Sequence, residues 1–175
     1  FYEGNSTDEQ VYNNIFMNCG PTSDFCGAIG NWVSDVEMGN MGVSSMGPIF
    51  TVNFLENNNI FYHPQRNVHF CWYGVPYTLA QWRTYWQTQG SNNSNKSIES
   101  NPQFISTNPT SPDFLRPVAG SPAIDTGVVI PGFHCSLSDS SGGSSLTNCR
   151  HWSGTAPDIG AYEYVAASPP VLTVN

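Results

Sequence analysis

Over the first seventy residues, apolar positions come in short β-type runs broken by Asn and Gly. "VYNNIFMNCG" at 11–20 returns as "FLENNNIFYHP" at 54–64, which carries the shared Asn-Asn-Ile-Phe from Asn13 to Asn58, a displacement of 45 residues. Two coils of about 22 residues would produce that offset, and a period in this range signals a solenoid. Between the copies, Trp32, Ser34, Val36 and Met38 alternate with Val33, Asp35 and Glu37. Such alternation marks a strand with one face buried. Strand, Asn or Gly turn and strand at this period predict an all-β chain, a parallel β-helix. A β-sandwich with a coincidental repeat is the competing architecture.

The pattern changes at 77–90, "YTLAQWRTYWQTQG". Leu79, Trp82 and Trp86 fall at helical spacing, with Thr78 as N-cap and Gly90 as the stop. A Trp pair on one helical face is expected to pack in the core, with a sugar-stacking platform as the alternative. "SNNSNKS" at 91–97 reads as a loop, and "NPQFIS" as a short strand begun by Pro102. Beyond 101, dense Pro and Gly permit only very short strands and turns. The organisation expected is β coils over 1–76, a helix and capping region over 77–164, and an exit strand or linker over 165–175. "SPAIDTG" at 121–127 and "DIGAYEY" at 158–164 stand out within the capping region. Ala123 and Ile124 are expected to point inward, with Asp125 and Gly127 shaping the turn after them. Ile159 and Ala161, together with Tyr162 and Tyr164, are expected to lie against the final coil. Gly160 permits close backbone approach, and Asp158 can accept local backbone N–H bonds.

Composition narrows the setting. Asp, Glu, Lys and Arg make up 10% of the 175 residues, against about a quarter in a typical globular chain. A net charge of −8 leaves no basic stripe for nucleic acid and does not suit an anionic membrane surface. No apolar run approaches the length of a membrane span. Aromatic residues at 13% are too many for a disordered chain. The chain opens on Phe1, and we expect it to be the end of something longer rather than a product trimmed of a leader.

Five cysteines stand at 19, 26, 71, 135 and 149. Cys135 and Cys149 flank the polar "SLSDSSGGSSLTN", and a bridge closing a loop of about 15 residues contributes roughly 3 kcal/mol. Cys19 and Cys26 can close "GPTSDF" in the same way, leaving Cys71 as a buried thiol. These pairings place the chain in an oxidising compartment, secreted or at a cell surface. Five reduced thiols in the cytosol are the alternative. Asn5, Asn92 and Asn95 each begin an N-x-[ST] sequon, suited to glycosylation where the host performs it.

The ordered series "QW" at 81–82, "GSNNSNKSIESNPQF", "DFLRPVAGSPAIDTG" and "DIGAYEY" resembles the C-terminal coils and cap of extracellular right-handed parallel β-helix proteins of the pectate-lyase-like superfamily. The resemblance covers 77–164 closely and 11–76 in style. It implies a cap covering the exposed edge of a last coil, with Asp125, Gly127, Asp158 and Gly160 as its structural residues. It carries over no catalytic residue.

Candidate chemistry is sparse. Asp35 and Glu37 share a strand face and are the calcium candidates, although no third oxygen ligand is identifiable. His63, Arg66 and His69 cluster in "FYHPQRNVHF" and are the catalytic candidates, because a lyase needs a base and a cation beside the developing enolate. No G-x-S-x-G elbow is present. The expected function is therefore a non-catalytic extracellular one, structural or adhesive, with no cofactor. The expected partners are copies of itself, assembled head to tail, and extracellular glycans met through Tyr and Trp. The alternative is a polysaccharide lyase or glycoside hydrolase.

Overall fold

In a computed structural model that describes residues 10–17, 43–44, 47–48, 55–65, 67–68, 70–72, 75–88, 95–135 and 149–166, the Asn-Asn-Ile-Phe repeat lies directly against itself. Strand β1 (Gln10–Tyr12) leads through Asn13-Asn14 into β2 (Ile15–Met17), and β5 (Leu55–Asn57) leads through Asn58-Asn59 into β6 (Ile60–Tyr62). β1 pairs in parallel with β5 and β2 with β6, placing Ile15 opposite Ile60 and Phe16 opposite Phe61. Asn13 and Asn58 turn the corners in left-handed backbone, at φ 57° and 53°. Asn visits that region more readily than other non-glycine residues, because its short side chain bonds locally.

The corners are tied together. Asn14 N–H donates to Asn59 Oδ1 at 2.8 Å, and Asn59 N–H donates to Ser97 Oγ at 3.1 Å. β9 (Ile98–Glu99) then adds to the far side of β6, making a three-stranded sheet in the order β2-β6-β9. Glu56, fully buried, accepts from Asn59 Nδ2 at 2.7 Å and Ser97 Oγ at 2.5 Å. A buried carboxylate needs such donors to be tolerated.

Alternation along these strands gives the sheet two buried faces. Ile60 packs with Ala123 and Ile159, joined by Ile15 and Ile98. Phe61 points the other way, stacking on Phe16 at 5.1 Å and meeting Phe70 edge-on at 5.0 Å. Phe70 belongs to β7 (Phe70–Trp72), which forms an antiparallel hairpin with β8 (Val75–Tyr77). Helix α1 (Leu79–Thr88) follows at once. Thr78 and Gln81 cap it reciprocally: Gln81 N–H donates to Thr78 Oγ1 at 3.3 Å, and Thr78 N–H to Gln81 Oε1 at 2.8 Å. Leu79 and Trp82 enter the core with Phe61, Val68 and Phe70, and Trp82 is fully buried. Trp82 is thus core, not a sugar platform. Burying a large apolar side chain of this kind contributes roughly 1.5–3 kcal/mol.

The remaining strands are short: β3 (Val43–Ser44) with β4 (Gly47–Pro48), antiparallel, and β10 (His134–Cys135) with β11 (Arg150–His151), parallel. "NPQFIS" makes only isolated bridges, from Phe104 to Pro117 and from Ser106 to Phe114.

These pairings overturn the parallel β-helix expected from the repeat, and with it the right-handed parallel β-helix that the resemblance implies. Strands of two or three residues form separate small sheets, two of them hairpins, and no solenoid runs through the described residues. The reason lies in the offset itself. Ile15 and Ile60 are immediate neighbours, so 45 residues make one excursion and not two coils. The next step, Ile60 to Ile98, spans 38 residues and carries Ser97 where the repeat has Asn. Without a constant period there is no coil to propagate. The alternation at 32–38 lies outside the described residues.

Candidate functional site

"SPAIDTG" and "DIGAYEY" meet in space. Ile159 N–H donates to Ala123 O at 2.9 Å, and Gly127 N–H to Pro157 O at 2.8 Å. Asp158, only 2% exposed, uses both carboxylate oxygens on the main chain. Its Oδ1 accepts from Asp125 N–H at 2.8 Å and its Oδ2 from Tyr164 N–H at 2.5 Å. Asp125, itself at a left-handed corner of φ 56°, accepts in turn from Thr155 N–H at 2.7 Å and Ala156 N–H at 3.2 Å. Charge-assisted bonds of this type are about twice as strong as neutral ones.

The same segments grip the first Asn corner. Asn13 bonds Val128 through both ends of its amide: Nδ2 donates to Val128 O and Oδ1 accepts Val128 N–H, each at 2.8 Å. Asn58 Nδ2 donates to Thr126 O at 3.0 Å. Gly160 N–H donates to Asn13 O at 2.9 Å, repeating the bond that Asn13 N–H makes to Asn58 O. The cap thus lies on the two Asn corners and on the Ile15, Ile60 and Ile98 face of the β2-β6-β9 sheet. Gly160 is required there. Its φ is 110°, and a Cβ would sit 2.8 Å from Ile15 Cδ1. At Gly127 a Cβ would meet Pro157 O at 2.6 Å. Ala123 and Ile159 are buried and Ile124 is half-buried, whereas Ala161 and Tyr162 are exposed.

Charge is concentrated at one end of this contact. Glu163 Oε1 and Oε2 each lie 3.3 Å from Asp158 N, and Arg150 Nη2 lies 3.5 Å from Glu163 Oε1. Arg150 Nη1 donates to Gly160 O at 2.9 Å. Burial raises the pKa of Asp158, outweighing the backbone bonds from Asp125 and Tyr164 that pull it down. Burial also raises that of Glu163, and the Asp158 charge adds to the effect. Two carboxyls with raised pKa can suggest acid–base chemistry. Here the oxygens of Asp158 are turned onto backbone N–H groups in a site closed to substrate. The arrangement holds chain segments together.

Other candidates are placed as follows. His63 is buried, with Nδ1 accepting Gln65 N–H at 3.2 Å, while Arg66 and His69 lie outside the described residues. Asp35 and Glu37 lie outside them too. Among the described residues no group of three or more His, Cys, Asp or Glu is placed to hold a metal. Cys149 is in a disulfide. Cys19 and Cys26, and the side chains of Cys71 and Cys135, are outside the described residues. Asn95 is exposed, and Asn5 and Asn92 are not described. Among the described residues no helix is long and apolar enough to cross a membrane.

The sequence carries no signal for Glu56, Arg150 and Glu163, which the pattern leaves unmarked. The doubled Asn ahead of Ile-Phe is legible as a turn, and Asn is the residue of left-handed corners, but its reach to Val128 and Thr126 is not. No protein family, curated protein or solved structure matches this chain.

Proposed function

We propose that this chain is a non-catalytic extracellular protein with a structural or adhesive role. One observation carries the reading: the carboxylates of Asp125 and Asp158 are both spent on main-chain N–H groups, tying 121–128 to 155–164. The most conspicuous acidic residues in the chain therefore serve its shape. The disulfide at Cys149 and the scarcity of charge support an oxidising, extracellular setting. A net charge of −8 repels polyanionic substrates, which weighs against a lyase. Self-association and contact with extracellular glycans are the two forms this role takes.

The test is to pass the purified protein over immobilised pectate, alginate and neutral polysaccharides, following retention, unsaturated products and reducing ends. Retention on a polysaccharide without product release is expected. Steady release of sugar fragments would replace this reading with that of a lyase or hydrolase.

A further inference from the structure

Beside the clasp, a cavity of about 700 Å³ opens against β2, within the range of small-ligand sites. Its apolar walls include Ile15, Phe104 and Phe133, and its polar groups include Tyr12, Asn14 and His134. His134 is 7% exposed, and its ring is fixed from behind. Ile130 N–H donates to His134 Nδ1 at 2.9 Å, so the neutral ring carries its proton on Nε2. That Nε2–H has no partner among the described residues. Asn14 donates through Nδ2 to Tyr12 O at 2.7 Å, which leaves Oδ1 without a donor among the described residues. The Tyr12 hydroxyl is likewise without a partner among them. The cavity therefore offers one fixed donor, one acceptor and one group able to act as either.

The lining favours uncharged chemistry. Arg150 is the formal charge on its wall, and Glu163 lies 3.5 Å from that guanidinium. Burial raises the Tyr12 pKa, with the Glu56 charge adding to it, and lowers that of His134, with Arg150 adding to it. Both side chains are held in their neutral forms. Phe133, 52% exposed, stands at the cavity as a ring available for stacking.

We propose that this cavity binds a short, uncharged saccharide, its hydroxyls meeting Tyr12, Asn14 and His134 and its C–H face lying on Phe133. A sugar ring supplies the required combination, since each hydroxyl both donates and accepts while the ring face is apolar. A uronate would bring its carboxylate to Arg150, whose charge is already met by Glu163 at 3.5 Å and whose Nη1 is held by Gly160 O. The assignment rests on the adhesive reading above and gives it a site.

The experiment is calorimetric titration with neutral trisaccharides of glucose, mannose and galactose, and with trigalacturonate. It is run on the parent chain and on Phe133→Ala and Tyr12→Phe. Phe133 is half-exposed and Tyr12→Phe removes a single hydroxyl, so circular dichroism is expected to show both variants folded. Saturable binding of a neutral trisaccharide is expected, weakened about tenfold in each variant, the scale of one lost contact. Trigalacturonate is expected not to bind. Neutral binding that both variants leave unchanged, or preference for trigalacturonate, would overturn the cavity assignment. Retention on immobilised polysaccharide would in that case persist, leaving the adhesive role standing. A parent chain that binds no trisaccharide and is retained on no polysaccharide would remove both.

Discussion

At the scale of single residues, Asn13 does more than any apolar side chain to join distant parts of the chain. Its amide bonds Val128 twice, its carbonyl receives Gly160 N–H, and its backbone turns a left-handed corner. Asn13→Ala removes the two side-chain bonds and disfavours the corner, with an expected cost of about 2–4 kcal/mol. Chemical unfolding should show it as a lower midpoint at unchanged slope. Asp158 and Glu163 make the same region sensitive to pH. Both have folded-state pKa values above their ordinary ones, so the folded state binds protons more readily than the unfolded chain. The stability this pair contributes should therefore be fully present below their ordinary values and be lost as pH rises through the raised ones. Thermal unfolding followed upward in pH from the ordinary carboxylate range should show that decline, and Glu163→Gln should flatten it. A slope unchanged in Glu163→Gln would refute the assignment to this pair.

At the scale of elements, helix α1 is set by its own local sequence. Thr78→Ala breaks a reciprocal cap at an expected cost of about 1 kcal/mol. Trp82→Ala opens the aromatic core beside Phe61 and Phe70, with an expected cost of about 3–5 kcal/mol. Equilibrium unfolding of the two variants should preserve that order. This helix was legible because its information is local: Thr78 and Gln81 cap it, and Leu79 and Trp82 share a face. The likeness of the two Asn-Asn-Ile-Phe segments was legible, but their direct pairing was not, because two coils of about 22 residues would set another strand between them. Nor was the meaning of the offset. A spacing of 45 residues fits one excursion or two coils equally, and the pairing of Ile15 with Ile60, together with the Asn14–Asn59 contact, decides between them. The clasp lay further from sight. Asp125 and Asp158 were visible as turn residues, but Asn13 and Val128 are 115 residues apart, and no local pattern records such a pair.

At the scale of the whole molecule, segments far apart in the sequence are tied together. The capping segments reach back to Asn13, Asn58 and Ile60, and Cys149, just ahead of β11, is in a disulfide. Peptide mapping without reduction is expected to recover Cys149 linked to Cys135; a link to Cys19, Cys26 or Cys71 would redraw that loop. Asp125 and Asp158 tie 121–128 to 155–164 through main-chain N–H groups. The most direct measurement is the unfolding midpoint of Asp125→Ala and Asp158→Ala, taken beside sugar release by the parent chain. Each substitution deprives two backbone N–H groups of a charged acceptor, an expected loss of about 2–5 kcal/mol. At about 2–4 °C per kcal/mol for a chain of this size, both midpoints should fall clearly, and the parent should release no sugar. Unchanged midpoints, together with a parent activity that both variants abolish, would contradict the account.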